Sequence, residues 1–188
     1  MTGHRRLPLK HLLAVATLPV SLCVSGCTPN TPPPPELLFG GLPVRGSMEA
    51  AARGGFRHCF NMDAVHVRCR RAGVTLYGRG PYEAAVDLRG SRGQSGFDHL
   101  VLWHDGDQRA LYDILPSLHR RGWRLCITGT DRAGDQAIFT RKGEPVRISM
   151  DISYYGKRRL RILPLDKPQE LSTRCIPQKG LSVFNLNV

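Results

Sequence analysis

The sequence predicts an α+β protein built from two related units, each a helix on an antiparallel sheet, stapled by disulfides. Three observations support this class: short segments that alternate apolar and polar residues, two helix signals at corresponding places, and four cysteines in the folded part. The chain has 188 residues, of which 41% are hydrophobic and 22% are charged. This composition is typical of globular proteins and argues against a disordered chain.

The first 26 residues have the parts of an export signal. Arg5, Arg6 and Lys10 form a positive region, and the following stretch from Leu12 to Val24 is mostly apolar. That stretch is shorter than the roughly 20 residues that a helix needs to span a bilayer, and it has the length of a secretory signal. We therefore predict that residues 1–26 are a signal peptide.

The signal ends in Val24-Ser25-Gly26-Cys27, where small residues precede a cysteine. This segment resembles the lipobox of bacterial lipoproteins. The resemblance, which covers the leader alone, implies that Cys27 receives a diacylglyceryl thioether and becomes the first residue after cleavage. It also implies sorting to the outer membrane, facing the periplasm, because Thr28 replaces the aspartate that typically retains such proteins in the inner membrane. Cys23 is the weaker candidate, since bulky Leu22 precedes it, and a plain signal peptide is the alternative.

Residues 27–35 form a proline-rich tether that ends in four consecutive prolines, Pro32 to Pro35. Proline fixes φ and lacks an N–H, so we expect an extended polyproline II segment. Removal of the leader takes away three basic residues and no acid, and the net charge falls from +12 to +9. Export separates the protein from nucleic acid. The basic charge therefore favours the membrane, an envelope protein or an anionic cell-wall or lipid component as partner.

Four cysteines remain for the folded part: Cys59, Cys69, Cys126 and Cys175. An even number in an exported chain indicates two disulfides, for which three pairings are possible. A chain reversal centred on Ala64 would place Cys59 opposite Cys69, so we favour the pairs Cys59–Cys69 and Cys126–Cys175. The sequence contains no CxxC pair, which argues against a zinc site.

The first unit is predicted to span residues 36–104. Ser47 can cap a short helix from Met48 to Arg53, and Gly54-Gly55 would end it. Alternation then predicts strands at Arg57–Phe60, Ala64–Arg70, Val74–Tyr77, Glu83–Leu88 and Phe97–His104. The turns between them are expected at 61–63, Ala72-Gly73 and Gly78–Pro81.

The second unit is predicted to span residues 105–188. Asp107 can cap a longer helix that ends at Gly122 and is kinked by Pro116. Its apolar face repeats at helical spacing through Leu111, Ile114, Leu115 and Leu118. Strands follow at Asp135–Arg141, Val146–Ser153 and Arg158–Leu163, with a further edge strand at Phe184–Val188.

The two units share the pattern glycine, aromatic, arginine, any residue, cysteine. It occurs at Gly55–Cys59 and again at Gly122–Cys126, 67 positions later. Each copy follows a predicted helix. The repetition predicts two related units of roughly 65 residues. Chance similarity between two helix-to-strand junctions is the alternative.

One face of the second sheet is the predicted binding surface. In the strands at 146–153 and 158–163 the apolar residues alternate with outward-pointing arginines, and tyrosines crowd the hairpin tip between the strands. The predicted binding residues are Arg147, Tyr154, Tyr155, Arg159 and Arg161. Arginine and aromatic side chains dominate interface hot spots, and arginine pairs with carboxylate and phosphate. A solvated face that merely keeps the protein soluble is the alternative.

The densest polar cluster runs from Asp98 to Asp107. Alternation along a strand puts Asp98 and His104 on one face and His99 on the other, so we predict no metal site there. The sequence has no P-loop, dinucleotide or nucleophile-elbow pattern, so no cofactor and no catalytic residues are predicted. We expect a non-enzymatic binding or scaffolding module. The alternatives are a periplasmic hydrolase or wall-modifying enzyme that uses His99, His104 and Asp105, and a ligand sensor or inhibitor.

Overall fold

The structure is a computed structural model, and it describes residues 32–127, 136–152 and 158–165. The strands in these ranges are β1 Leu37–Phe39, β2 Leu42–Arg45, β3 His58–Asn61, β4 His66–Leu76, β5 Arg79–Arg89, β6 Leu100–Trp103, β7 Arg124–Ile127, β8 Gln136–Thr140, β9 Val146–Asp151 and β10 Leu160–Pro164. The helical segments are α1 Met48–Arg53, a 3₁₀ segment at Ala110–Ile114, and α2 Leu115–Arg120.

Eight of the described strands form a single antiparallel sheet, in the order β3-β4-β5-β6-β10-β9-β8-β7. Strands that are neighbours in the chain pair with each other except at the centre, where β6 pairs with β10. β1 and β2 form a separate hairpin. The predicted combination of helices and antiparallel sheet is therefore present, but the helices are short and the protein is mostly β.

The hairpin of β3 and β4 is closed by a disulfide between Cys59 and Cys69. The two cysteines lie directly opposite each other in the register of the hairpin, as the predicted reversal near Ala64 requires. This part of the disulfide prediction is confirmed. Cys175 and the predicted edge strand at 184–188 lie outside the described residues, so the pair Cys126–Cys175 stays a prediction.

The predicted turn at Ala72-Gly73 is wrong, because β4 continues through it. The pairing of β4 with β5 shifts between Arg71 and Val74, and Gly73 has a φ of +69°. This glycine therefore makes an irregularity within the strand rather than its end. The chain reverses at Tyr77-Gly78, where both residues have positive φ, as a two-residue hairpin turn requires.

The second helical segment is shorter than predicted. It begins at Ala110, three residues after the expected cap, and its first five residues are 3₁₀. Asp107 instead accepts a hydrogen bond from the N–H of Arg109 at 2.7 Å and closes a local turn. Pro116 lies in the first turn of α2, where the fixed φ of proline suits a helix. The proline thus marks the change from 3₁₀ to α-helix and not a kink within a long helix.

The two α-helices end in the same hydrogen-bond pattern. After each helix the N–H of a glycine bonds to the carbonyl three residues back, and the N–H of the next residue bonds five residues back. The glycines are Gly55 and Gly122, with φ of +82° and +80°. The residues that follow are Phe56 and Trp123, and both are buried in the core. Both junctions are Schellman motifs, which glycine at a positive φ permits.

The core lies on one face of the sheet, called here the inner face. Alternation in the strands predicted at 146–153 and 158–163 turns six apolar residues inward, and five of them are buried there: Val146, Ile148, Met150, Leu160 and Ile162. The sixth, Ile152, is partly buried against the same core. They form one cluster with the predicted apolar residues of the second helical segment, and with residues of α1 and the β1–β2 hairpin. The helices therefore cover the inner face, as alternation predicted. No helix in the described part of the chain is long and apolar enough to cross a membrane.

Candidate binding site on the outer face of the sheet

The opposite face of the sheet, called here the outer face, carries the side chains that alternate with the core residues. At its centre the register aligns Arg70 of β4, Ala85 of β5, Val101 of β6 and Arg161 of β10 in one row. The two central side chains are short and the two flanking ones are long. The row therefore encloses a hollow of about 290 Å³.

The floor of the hollow is apolar. Ala85, Val101 and Trp103 are at most 8% exposed, and they form a cluster separate from the core. The indole N–H of Trp103 donates to the Asp105 carboxylate at 2.9 Å, which fixes the orientation of the ring. A small apolar patch thus lies on the outer face with charged side chains around it.

One side of the hollow is formed by an ion pair between Arg68 and Asp87. The Nε and Nη2 groups of Arg68 donate to the two carboxylate oxygens at 2.6 and 2.7 Å, and His99 Nε2 lies 3.6 Å from the same carboxylate. Burial opposes ionisation of Asp87. Hydrogen bonding to Arg68 and the contact with His99 outweigh it and hold the Asp87 pKa well below its usual range.

The same contact acts on His99 in the opposite direction. The interaction with Asp87 raises the pKa of His99 above its ordinary value, although burial works against the charged form, and Asp98 adds to the increase. His99 therefore holds a proton more strongly than a free histidine and adds positive charge to the hollow when it does.

A second ion pair, between Arg161 and Asp151, lies on the other side. The guanidinium donates to the two carboxylate oxygens at 2.5 and 3.0 Å. Gln136 Nε2 donates to the same carboxylate at 2.7 Å, and the hydroxyl of Ser149 donates to Gln136 Oε1 at 2.8 Å. Because Gln136 and Ser149 are both buried, this network fixes the position of Arg161.

Two further arginines of the hollow, Arg70 and Arg159, have no acidic partner among the residues that the structure describes. The guanidinium of Arg70 lies 5.1 Å from the centre of the Phe60 ring and 5.5 Å from the centre of the Trp103 ring. Arg159 is exposed and sits next to the pair formed by β10 and β6. Contacts with aromatic rings leave the N–H donors of an arginine available, so both side chains can receive an anion.

The predicted binding residues are only partly brought together. Arg159 and Arg161 line the hollow. Arg147 is exposed on the same outer face, opposite Leu163 of β10, but is not among the lining residues. Tyr154 and Tyr155 lie outside the described residues, so their proposed role stays a prediction.

Arg68, Arg70 and Trp103 line the hollow and are absent from the predicted set. A signal for the two arginines exists in the sequence, since they alternate with Val67 and Cys69, which point inward. What the sequence does not show is that β6 and β10 are neighbours. That contact alone places arginines from the first and second halves of the chain around one hollow.

The polar cluster around His104 is divided among separate local contacts. Asp98 pairs with Arg89 at 2.9 Å, and Nδ1 of His104 accepts the N–H of Asp107 at 2.8 Å. His99 instead faces the hollow. Across the described ranges, no group of three or more potential metal-ligating side chains converges.

No family model, curated protein or solved structure gives a significant match to this chain. The candidate site therefore rests on its own geometry, burial and charge.

Proposed function

We propose that this protein is a lipid-anchored component of the bacterial cell envelope, facing the periplasm, and that it acts as a non-enzymatic binding module through the outer face of its sheet. The hollow is the observation that carries the proposal. Four arginines and two aspartates line it, a formal excess of two positive charges above an apolar floor. Arginine and tryptophan are the residue types most enriched in binding hot spots.

A face that only keeps the protein soluble would not need this construction. Solvated charged faces expose their side chains singly, whereas here Ala85, Val101 and Trp103 bury an apolar patch on the side of the sheet away from the core. The ion pairs of Arg68 and Arg161 hold two guanidinium groups in fixed positions. A hollow whose sides are already held in place favours binding, because little order is lost on association.

Site-specific photo-crosslinking in intact cells tests the binding surface. A photoreactive residue in place of Phe60, on the outer side of β3, should give a discrete adduct. The matched position is Asp113, exposed in the helical segment on the other side of the sheet, which should give none. Charge reversal by Arg70→Glu and Arg159→Glu should remove the Phe60 adduct. Equal adducts from both positions, or an adduct that survives charge reversal, would contradict the proposal.

The lipid anchor is a separate part of the proposal, and the lipobox resemblance at Cys27 supports it. Cys27→Ser should abolish labelling by radioactive palmitate and release the protein from the membrane fraction. Cys23→Ser is the matched control and should leave both unchanged. If the Cys27→Ser protein still takes up label, the anchor lies elsewhere and the assignment fails.

We also propose that residues 36–104 and 105–188 are two related units. Supporting this are the shared Gly-aromatic-Arg-x-Cys pattern and the identical Schellman ends of α1 and α2. In addition, β3–β6 and β7–β10 occupy the two halves of the sheet in mirrored order. Each unit would then supply one arginine–aspartate pair beside the hollow. The hollow would form where the two units meet.

A hydrolase that uses His99 and Asp105 is the second candidate, since both residues line the hollow. Three features favour binding instead. His99 contacts Asp87, Asp87 is already held as an ion by Arg68, and no serine, threonine or cysteine occurs among the described lining residues. If the protein is a hydrolase, His99→Ala should cause the same cellular defect as deletion of the gene. If it is a binding module, Arg70→Glu with Arg159→Glu should cause that defect in full, while His99→Ala should cause only part of it.

A further inference from the structure

We propose that the hollow receives an acidic segment of a partner protein, in which a carboxylate side chain lies next to an apolar one. This inference rests on the proposed binding function and specifies its ligand class. The carboxylate would pair with Arg70 and Arg159, and the apolar side chain would cover the floor formed by Ala85, Val101 and Trp103.

The charges of the hollow direct an anion to these two arginines. Arg68 is occupied by Asp87 and Arg161 by Asp151, each through two hydrogen bonds. The pairs hold the sides in place and leave little capacity for another anion. Arg70 and Arg159 have no acidic partner in the described ranges, and a guanidinium binds a carboxylate through two parallel N–H donors.

The apolar floor argues against an inorganic anion or a lipid headgroup as the occupant. The oxygen atoms of a phosphate need hydrogen-bond donors on several sides. The floor of Ala85, Val101 and Trp103 has a single side-chain donor, the indole N–H of Trp103, and that group already donates to Asp105. Val101 and Trp103 are at most 8% exposed, so an apolar side chain placed on the floor covers only the small apolar surface that remains, which is still favourable. One segment that carries a carboxylate and an apolar side chain can bind the arginines and cover the floor at the same time.

The size and surroundings of the hollow favour a protein partner over a free small molecule. Its volume of about 290 Å³ is at the lower end of ligand pockets and suits side chains that project from a larger surface. Exposed apolar side chains also lie on the hairpin at the edge of the sheet. Phe60, Met62 and Val65 are 44%, 49% and 55% exposed on the β3–β4 hairpin, and Arg70 lies between Phe60 and Trp103. Exposed apolar side chains next to the hollow are typical of a macromolecular interface.

Three small probes separate the two parts of the proposed ligand. They are N-acetyl-Glu-Phe-amide, which has both the charge and the ring, its Gln-Phe analogue, which lacks the charge, and its Glu-Gly analogue, which lacks the ring. Protein purified after expression of the full chain is labelled with nitrogen-15, and indole N–H resonances are followed during titration. The chain has two tryptophans, so Trp103 reports on the hollow and buried Trp123 serves as an internal reference.

Only the Glu-Phe probe should shift the Trp103 resonance in a saturable way, while Trp123 stays unchanged. Arg70→Gln with Arg159→Gln should weaken this binding by about tenfold or more, as expected for loss of a charge-assisted contact. Arg147→Gln removes an exposed arginine from the same face but outside the hollow, and should leave the affinity unchanged. The unfolding temperature of each variant shows whether it is folded.

Several results would overturn the inference. These are equal binding of the Glu-Gly probe or of inorganic phosphate, binding of phosphatidylglycerol vesicles through Arg70 and Arg159, or no shift of Trp103 with any probe. In each case the Phe60 crosslinking experiment decides separately on the proposed function. If the arginine-dependent adduct persists, the outer face still binds a partner of different chemistry. If the adduct is also absent, the proposed function fails with the inference.

Discussion

The inner and outer faces of the sheet share the same strands and register, yet they are built from opposite chemistry. In β10, Leu160 and Ile162 are fully buried on the inner face, whereas the side chain of Arg161 between them is 30% exposed on the outer face. The inner face joins a continuous apolar core with the helices, and the outer face carries only the small floor of the hollow. The stability of the fold should therefore depend on the inner face, and recognition should depend on the outer one.

The outer face also shows how partly buried aspartates are stabilised next to the apolar floor of the hollow. Asp87 and Asp151 are largely shielded from water, but each is held by an arginine through two hydrogen bonds. Arg70 and Arg159 are exposed and need no such partner for stability. Some outer-face charges are therefore structural, and others are free for a ligand. Substitutions can separate these two groups.

The largest effect is expected on the inner face. Leu102 is fully buried between β5 and β10, so Leu102→Ala should destabilise the protein by about 2–5 kcal/mol through lost burial and the cavity left behind. Val101→Ala, one residue away on the outer face, should have a smaller effect of about 1–2 kcal/mol. Chemical denaturation measures both. Equal losses at the two positions would remove the distinction between the faces.

A smaller effect is expected from the structural ion pair. Asp87→Asn leaves the Arg68 guanidinium without its anion, so it should destabilise by about 1–3 kcal/mol. The double variant Arg68→Met with Asp87→Leu should recover much of this loss, because the uncompensated charge is gone. Asp63→Asn, in an exposed pair with His66, is the control and should have no measurable effect. An equally stable Asp87→Asn protein would contradict a structural role for the pair.

A still smaller effect is expected from pH. The folded pKa of His99 is raised, so its stabilising contribution is complete below the unfolded value of about 6.5 and is lost as pH rises through the folded value. The folded pKa of Asp87 is lowered, so its contribution is present above about pH 4 and is lost as pH falls. The unfolding temperature should therefore decline as pH rises from about 6.5 through the raised pKa of His99. His99→Gln should flatten this decline, and an unchanged pH profile in that variant would count against the assignment.

The sequence is sufficient for features that depend on local pattern. Alternation identifies the inward residues of β9 and β10, and the short reversal after β3 is enough to pair Cys59 with Cys69. The turn predicted at Gly73 is wrong because a glycine can mark either the end of a strand or an irregularity within it, and here β4 continues past Gly73 with a shift in register. The extent of the helix before Gly122 is also overestimated, since the segment begins only at Ala110 and its first five residues are 3₁₀.

The candidate binding site is less predictable than the fold elements around it. Arg159 and Arg161 can be identified from one strand, but the hollow exists because β10 pairs with β6, which begins 60 residues earlier in the chain. No local signal encodes that contact. Arg68, Arg70 and Trp103 therefore have an evident outward direction in the sequence but no evident relation to Arg159.

The most direct test of the account measures stability and binding on one protein, the double variant Arg70→Gln with Arg159→Gln. Because both side chains are exposed and unpaired with acids in the described ranges, the variant should stay within about 0.5 kcal/mol of the parent in chemical denaturation. The photo-crosslinked adduct from position Phe60 should nevertheless disappear in cells, while the Arg147→Gln control keeps it. An adduct that persists in the folded double variant, or a variant that loses the adduct only because it unfolds, would contradict the assignment of these arginines to recognition.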